Sequence, residues 1–240
     1  MQSKSKIALV TGASSGIGLA TSRLLLDHGY QVVGISRHGK IAELEVDEFS
    51  GISMDLADLD NIDNGVRQLL KEFSFDCFIH AAGQGLFGSI EQFSVAQIDN
   101  SIRVNLTSAM VLSRALVPTF RRQGKARMIF IGSESALTTG KKGGLYSAAK
   151  FGLRGFCQAL REDCARDGIH VSLINPGMVR SAFFDNLPFG PGTAPENAIE
   201  ASDIAIQVLH ILQSSSNIVI DEINLSPRVK SIDFSAGSPD

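Results

Sequence analysis

From Ile7 to about Leu225, short apolar runs alternate with longer stretches whose apolar positions recur at helical spacing. The runs at 7–10, 31–36, 51–54, 76–80, 126–132, 169–175 and 218–225 are mostly rich in β-branched residues and too short for helices, so they predict strands. Between them, 16–28, 58–72, 95–122, 146–167 and 200–213 predict helices. Two helix ends carry their own stop signals, His28-Gly29 and Arg166-Asp167-Gly168. No linker, repeat or low-complexity stretch interrupts the alternation. It therefore predicts a single-domain, doubly wound α/β fold over 1–225, built on a parallel sheet of about seven strands. Residues 226–240 are polar with Pro, Gly and Ser, and read as a loose tail or a clasp on a neighbouring subunit.

Composition narrows the class. The 240 residues are 44% hydrophobic and 20% charged, as a packed water-soluble domain requires. No window approaches the roughly 20 apolar residues of a membrane span, so no membrane partner is expected. A net charge of −3 gives no reason to expect nucleic acid, and the basic cluster RRQGKAR at 121–127 reads as a solvated helix end and turn. MQSKSKIALVTGA has neither a secretory apolar stretch nor a small-residue cleavage site, which predicts a cytoplasmic protein. Cys77, Cys157 and Cys164 lack metal-ligand spacing and are expected as free thiols in or near the core, with no metal site.

The first predicted strand runs into TGASSGIG, residues 11–18, and a helix follows. Gly12, Gly16 and Gly18 at that turn would let the backbone approach a pyrophosphate, with Ser14, Ser15 and Ile17 completing the loop, while the helix N-terminus offers free N–H groups. An ordinary tight turn is the plain alternative. The second strand ends in Ser36-Arg37, where an acidic residue would select NAD; an arginine there instead suits the 2′-phosphate of NADP, unless it is a solvated strand-end cation. His38 would add to that site. Asp55, followed by Leu56, is a candidate acceptor for the adenine amino group or a simple turn aspartate.

Tyr146 and Lys150 lie four apart on a predicted helix and share one face. A phenol titrates near 10, and an adjacent ammonium would lower that value and make an acid/base. Ser133 ends the preceding strand, at the sheet edge where parallel α/β folds bind ligands, so its hydroxyl could hold a substrate oxygen.

TGASSGIG, HAAG at 80–83, Asn105 in RVNL, Ser133, Tyr-x-x-x-Lys at 146–150 and NPGMVRS at 175–181 together resemble the ordered signatures of the short-chain dehydrogenase/reductase family. The likeness spans Ile7 to about Pro227. It implies a Rossmann-type fold and a catalytic set of Ser133, Tyr146, Lys150 and Asn105. In that set Tyr146 exchanges the proton, Lys150 holds the nicotinamide ribose, Ser133 orients the substrate oxygen, and Asn105 holds a water relaying protons from Lys150. It also implies cofactor contacts from Leu56, from Ala81, Ala82 and Gly83, from Pro176-Gly177 beside the nicotinamide, and from Val179 and Ser181 at its carboxamide. His80 and Ala81 stand where the family more often has two asparagines, and Ser181 replaces a threonine. The stretch 217–227 is similar to the last strand of members acting on small 3-hydroxy acids and related alcohols.

The expected activity is interconversion of a small-molecule carbonyl and secondary alcohol with NADP(H); the alternative is a non-catalytic dinucleotide-binding regulator. The segment around 181–200 carries Phe183, Phe184, Leu187 and Phe189 and reads as a substrate lid or as ordinary packing, with Leu86, Phe87 and Leu137 as apolar wall. Lys141 and Lys142 would attract an anionic group or face solvent. The resemblance further implies a homodimer or homotetramer paired through the helices at 95–122 and 146–167.

Overall fold

The computed structural model describes residues 5–39 and 41–234. In chain order its first half comprises β1 (Ile7–Thr11), α1 (Gly16–Asp27), β2 (Gln31–Ser36), β3 (Phe49–Ser53), α2 (Leu59–Glu72), β4 (Cys77–His80), α3 (Val95–Ile102) and α4 (Ser108–Gln123). There follow β5 (Ala126–Ile131), α5 (Gly144–Cys164), β6 (Ile169–Pro176), the short β7 (Val179–Arg180), β8 (Gly190–Pro191) and β9 (Ile199–Glu200), α6 (Ala201–Gln213), β10 (Glu222–Leu225) and β11 (Ile232–Asp233).

Seven strands pair in parallel in the order β10-β6-β5-β4-β1-β2-β3. Such a sheet is covered on both faces, which is why its central strands read as unbroken apolar runs rather than alternating ones. Leu25, Ile204 and Val208 of α1 and α6 fill one face; Val66, Leu112, Leu116 and Leu153 of α2, α4 and α5 fill the other. The strand order reverses between β1 and β4, and ligands of open α/β sheets bind beyond the strand ends at that switch point. The three cysteines are buried and unpaired. Among the described residues no helix is long and apolar enough to cross a membrane.

Three details differ from the sequence expectation. The helix expected over 95–122 is two helices, α3 and α4, joined by a π-helical turn at Arg103–Thr107. The last strand covers only Glu222–Leu225, because Ile218 and Val219 stand out in solvent. The tail is not loose as far as Phe234: β11 pairs antiparallel with β8 inside the lid, and the Lys230 ammonium lies 2.6 Å from Glu134 Oε2. Residues 235–240 lie outside the described part of the chain.

Candidate active site

The turn after β1 forms a tight cradle. A Cβ on Gly12 would stand 2.9 Å from the Ala82 backbone, and one on Gly18 would stand 2.1 Å from the Gly12 carbonyl oxygen, so the loop closes only with glycine. Ser15 caps α1 without using its hydroxyl, and the side chains of Ser14 and Ser15 are exposed at the helix N-terminus. Gly16 and the partly buried Ile17 begin that helix. Across the cleft, a Cβ on Gly16 would approach Ser181 Cβ to 3.3 Å, which brings the loop and the segment after β6 together. At the end of β2, Ser36 turns inward and accepts the Gly39 amide at 3.1 Å. Arg37 and His38 are exposed, and the Arg37 guanidinium has no partner among the described residues. Asp55 accepts the Ala57 amide at 2.9 Å, the turn role the sequence left open, and Leu56 is buried beside it. Ala82 donates its amide to Thr11 Oγ1 at 3.3 Å, and Gly83 follows, exposed. Pro176 closes β6, Gly177 donates its amide to Leu225 O at 2.7 Å, Val179 is buried, and Ser181 Oγ donates to Val179 O at 3.3 Å. Glycines that admit no Cβ, a free helix N-terminus and an unpaired cation at the end of β2 fit the phosphates of a nicotinamide dinucleotide.

The four expected catalytic residues converge at the C-terminal edge of β5. Tyr146 and Lys150 sit on the inner face of α5, 7% and 4% exposed. Ser133, just past β5, is close enough to the phenol to act on its titration, and its Oγ accepts the Ser135 amide at 3.1 Å. Lys150 Nζ lies 5.7 Å from the centre of the Tyr146 ring and donates to Ile131 O at 3.0 Å. The π-helical turn aims the buried Asn105 amide at the loop after β4, where Nδ2 donates to Gln84 O and Ser101 O, both at 3.0 Å, and Oδ1 accepts the Gln84 amide at 3.0 Å. Asn105 thus clamps the backbone beside Gly83, whose Cβ, if present, would stand 3.0 Å from Asn105 Oδ1 and 3.7 Å from Lys150 Nζ.

One expectation is reversed. The Tyr146 phenol is not drawn down by Lys150: burial pushes it up to about 12, with the Ser133 hydroxyl pulling the other way. Burial also lowers Lys150 to about 8, against which the Cys157 sulfur acts. Desolvation of both groups outweighs their mutual effect in this dry site.

Sequence reading missed the partners behind Ser133. Its amide donates to Asn175 Oδ1 at 3.2 Å, Asn175 Nδ2 donates to Glu222 Oε1 at 2.8 Å, and Arg154 Nε holds Glu222 Oε2 at 3.0 Å. Asn175 was visible inside NPGMVRS; Arg154 and Glu222 had no local signal.

His80 is wholly buried, with Nδ1 3.0 Å from Thr11 Oγ1 and no partner for Nε2. Burial, helped by the Lys150 charge, lowers it from 6.5 to about 3. Since the folded value lies below the ordinary one, its contribution to stability is complete above pH 6.5 and is lost as pH falls toward 3. The loss amounts to roughly 5 kcal/mol at most. His80→Asn should flatten this acid limb in thermal unfolding between pH 3 and 7; equal acid sensitivity in both proteins would refute the assignment.

Five aromatic side chains close a ring over the site. Tyr146 meets Phe87 at 5.1 Å between ring centres, Phe87 meets Phe189 at 5.0 Å, Phe189 meets Phe184 at 6.0 Å, Phe184 meets Phe183 at 5.1 Å, and Phe183 returns to Tyr146 at 5.8 Å. The exposed Phe234 rests on Phe189 at 6.4 Å.

The short chain dehydrogenase family pattern matches residues 6–188. An uncharacterized oxidoreductase of Staphylococcus epidermidis is 30% identical over 229 residues, 93% of this chain and 98% of that one. The crystal structure of a metagenomic short-chain oxidoreductase in complex with NADP is 29% identical, with a TM-score of 0.81 over 93% of this chain and 98% of that one. The 3-ketoacyl-(acyl-carrier-protein) reductase from Brucella melitensis, complexed with NADH, is 22% identical and shares the fold at a TM-score of 0.79 over 93% and 98% of the two chains. With its glycine cradle, its parallel sheet and these relatives, the chain belongs to the short-chain dehydrogenase/reductase family and is one of its oxidoreductases.

Proposed function

We propose that the chain interconverts a carbonyl and a secondary alcohol on a small-molecule substrate with NADP(H), using Tyr146 as acid/base. The observation that carries this reading is the buried phenol, on which Ser133 acts from the end of β5, with the Lys150 ammonium 5.7 Å from its ring. The glycine cradle and Ser181 would hold the dinucleotide, whose nicotinamide would supply or accept the hydride. Tyr146, a phenol that keeps its proton at neutral pH, donates it to the carbonyl oxygen, and Ser133 Oγ orients that oxygen. Lys150 would hold the nicotinamide ribose and replace the lost proton, while Asn105 fixes the loop that borders it. Absorbance of NADPH against a broad carbonyl panel tests the activity. Bound NADPH with no oxidation by any carbonyl would leave only a nucleotide-binding role, which needs no buried proton donor.

Preference for NADP rests on Arg37, whose guanidinium is free and has no acidic neighbour at the end of β2. The relative that is 29% identical and holds NADP supports it. Arg37→Ala is expected to weaken NADPH binding roughly 10- to 100-fold, the worth of a charged hydrogen bond, while sparing NADH. Equal loss for both cofactors in fluorescence titrations would overturn the assignment.

The same reading takes 1–225 as one catalytic domain with its lid at about 181–200, appends the 226–240 tail, and places the protein in the cytoplasm. It also pairs subunits through α4 and α5, where Met110 and Phe151 stand 36% and 42% exposed. Phe151→Glu should shift sedimentation toward a smaller species.

A further inference from the structure

We propose that the substrate is an uncharged carbonyl compound with a flat apolar group, such as an aryl ring, flanking its carbonyl. This rests on the oxidoreductase reading above and extends it to a substrate class.

The argument starts from the covered phenol. Tyr146 is 7% exposed because the aromatic ring of Phe87, Phe183, Phe184 and Phe189 closes on it. The cover is pressed down hard: a Cβ on Gly85 would stand 2.9 Å from both Leu187 Cδ1 and Phe183 Cζ, so the lid meets bare backbone there. A substrate reaches the phenol by parting these rings, and its flanks then lie against their faces. An apolar flat group restores the ring contacts that parting breaks. A carboxylate in the same place loses its hydration to hydrocarbon.

No cation is at hand to offset that loss. The lid stretch 181–192 has a single charged residue, the exposed Asp185, and 84–88 has none. Lys230 is paired with Glu134 and Arg180 with Glu200, while the Lys150 ammonium donates to Ile131 O and is assigned to the nicotinamide ribose. Lys141 and Lys142 are exposed; their loop reaches the site through backbone, with the Gly88 amide donating to Lys142 O at 2.8 Å. The small 3-hydroxy acids suggested by the similarity of 217–227 are therefore a poor match for this cover.

The test measures kcat/KM with NADPH for three uncharged aryl ketones, each paired with a keto acid of equal size bearing its carboxylate beside the carbonyl. Binding of each compound to the NADP complex is measured by calorimetry in parallel. The expected preference for the ketone is at least about 100-fold in both readouts. Phe87→Arg should narrow that ratio by supplying a partner for the carboxylate. Should it fail to fold, Phe189→Leu should lower efficiency for the ketones about tenfold and leave the acids unchanged. Keto acids turned over as well as or better than the ketones would overturn the substrate class while the oxidoreductase reading stands. Turnover of neither set by a protein that binds NADPH would overturn both.

Discussion

Tyr146→Phe should abolish carbonyl reduction, lowering kcat by about 100- to 10,000-fold, the usual worth of a positioned proton donor, while NADPH binding stays within about twofold. The phenylalanine keeps the ring's contacts with Phe87 and Phe183, so the lid still closes and stability should change little. Only the hydroxyl, with its proton and its interaction with Ser133, is lost. Single-turnover mixing of the NADPH complex with a reducible ketone isolates this step from product release. Retained turnover would sink the assignment of Tyr146. The pH profile carries a second check. With the phenol raised to about 12 and Lys150 lowered to about 8, both groups hold their protons at pH 7. Reduction should therefore be flat below pH 8 and fall above it as Lys150 loses its charge. A rate that rose with pH would contradict a protonated donor.

Gly18→Ala should remove dinucleotide binding, weakening NADPH at least about 100-fold. The new methyl group would lie 2.1 Å from the Gly12 carbonyl oxygen and 2.6 Å from its carbon. Both neighbours are backbone, so relief requires moving the cradle itself. Ser22 Oγ, which donates to Gly18 O at 2.8 Å, adds a tie that resists such a shift. Fluorescence titration with NADPH reads the loss, and thermal unfolding without cofactor reads any damage to the fold. Near-normal affinity would mean that the loop is not where the pyrophosphate sits.

Much of the fold could be read from the sequence because parallel strands buried on both faces leave continuous apolar runs, as in the MIFI that ends β5. The Tyr146–Lys150 spacing was equally plain, since helical geometry alone puts those side chains on one face. What stayed hidden depends on contacts far apart in sequence. Nothing local in RVNL announces that a π-helical turn breaks the helix and aims Asn105 at Gln84. The direction of the Tyr146 shift was misjudged for a similar reason: the neighbouring charge is visible in sequence, while the burial that outweighs it comes from Phe87 and Phe183. The apolar lid residues were visible as a group, but their closure into a ring was not. The hold of 226–234 on the lid also escaped notice, because polar composition gives no hint of pairing with β8.

That hold has a consequence for how the cover can move. β11 ties the segment after β7 to 226–234, and the Lys230–Glu134 ion pair ties that stretch in turn to the turn after Ser133. Any outward swing of the covering segment must therefore carry 226–234 with it or first break the β8–β11 pairing.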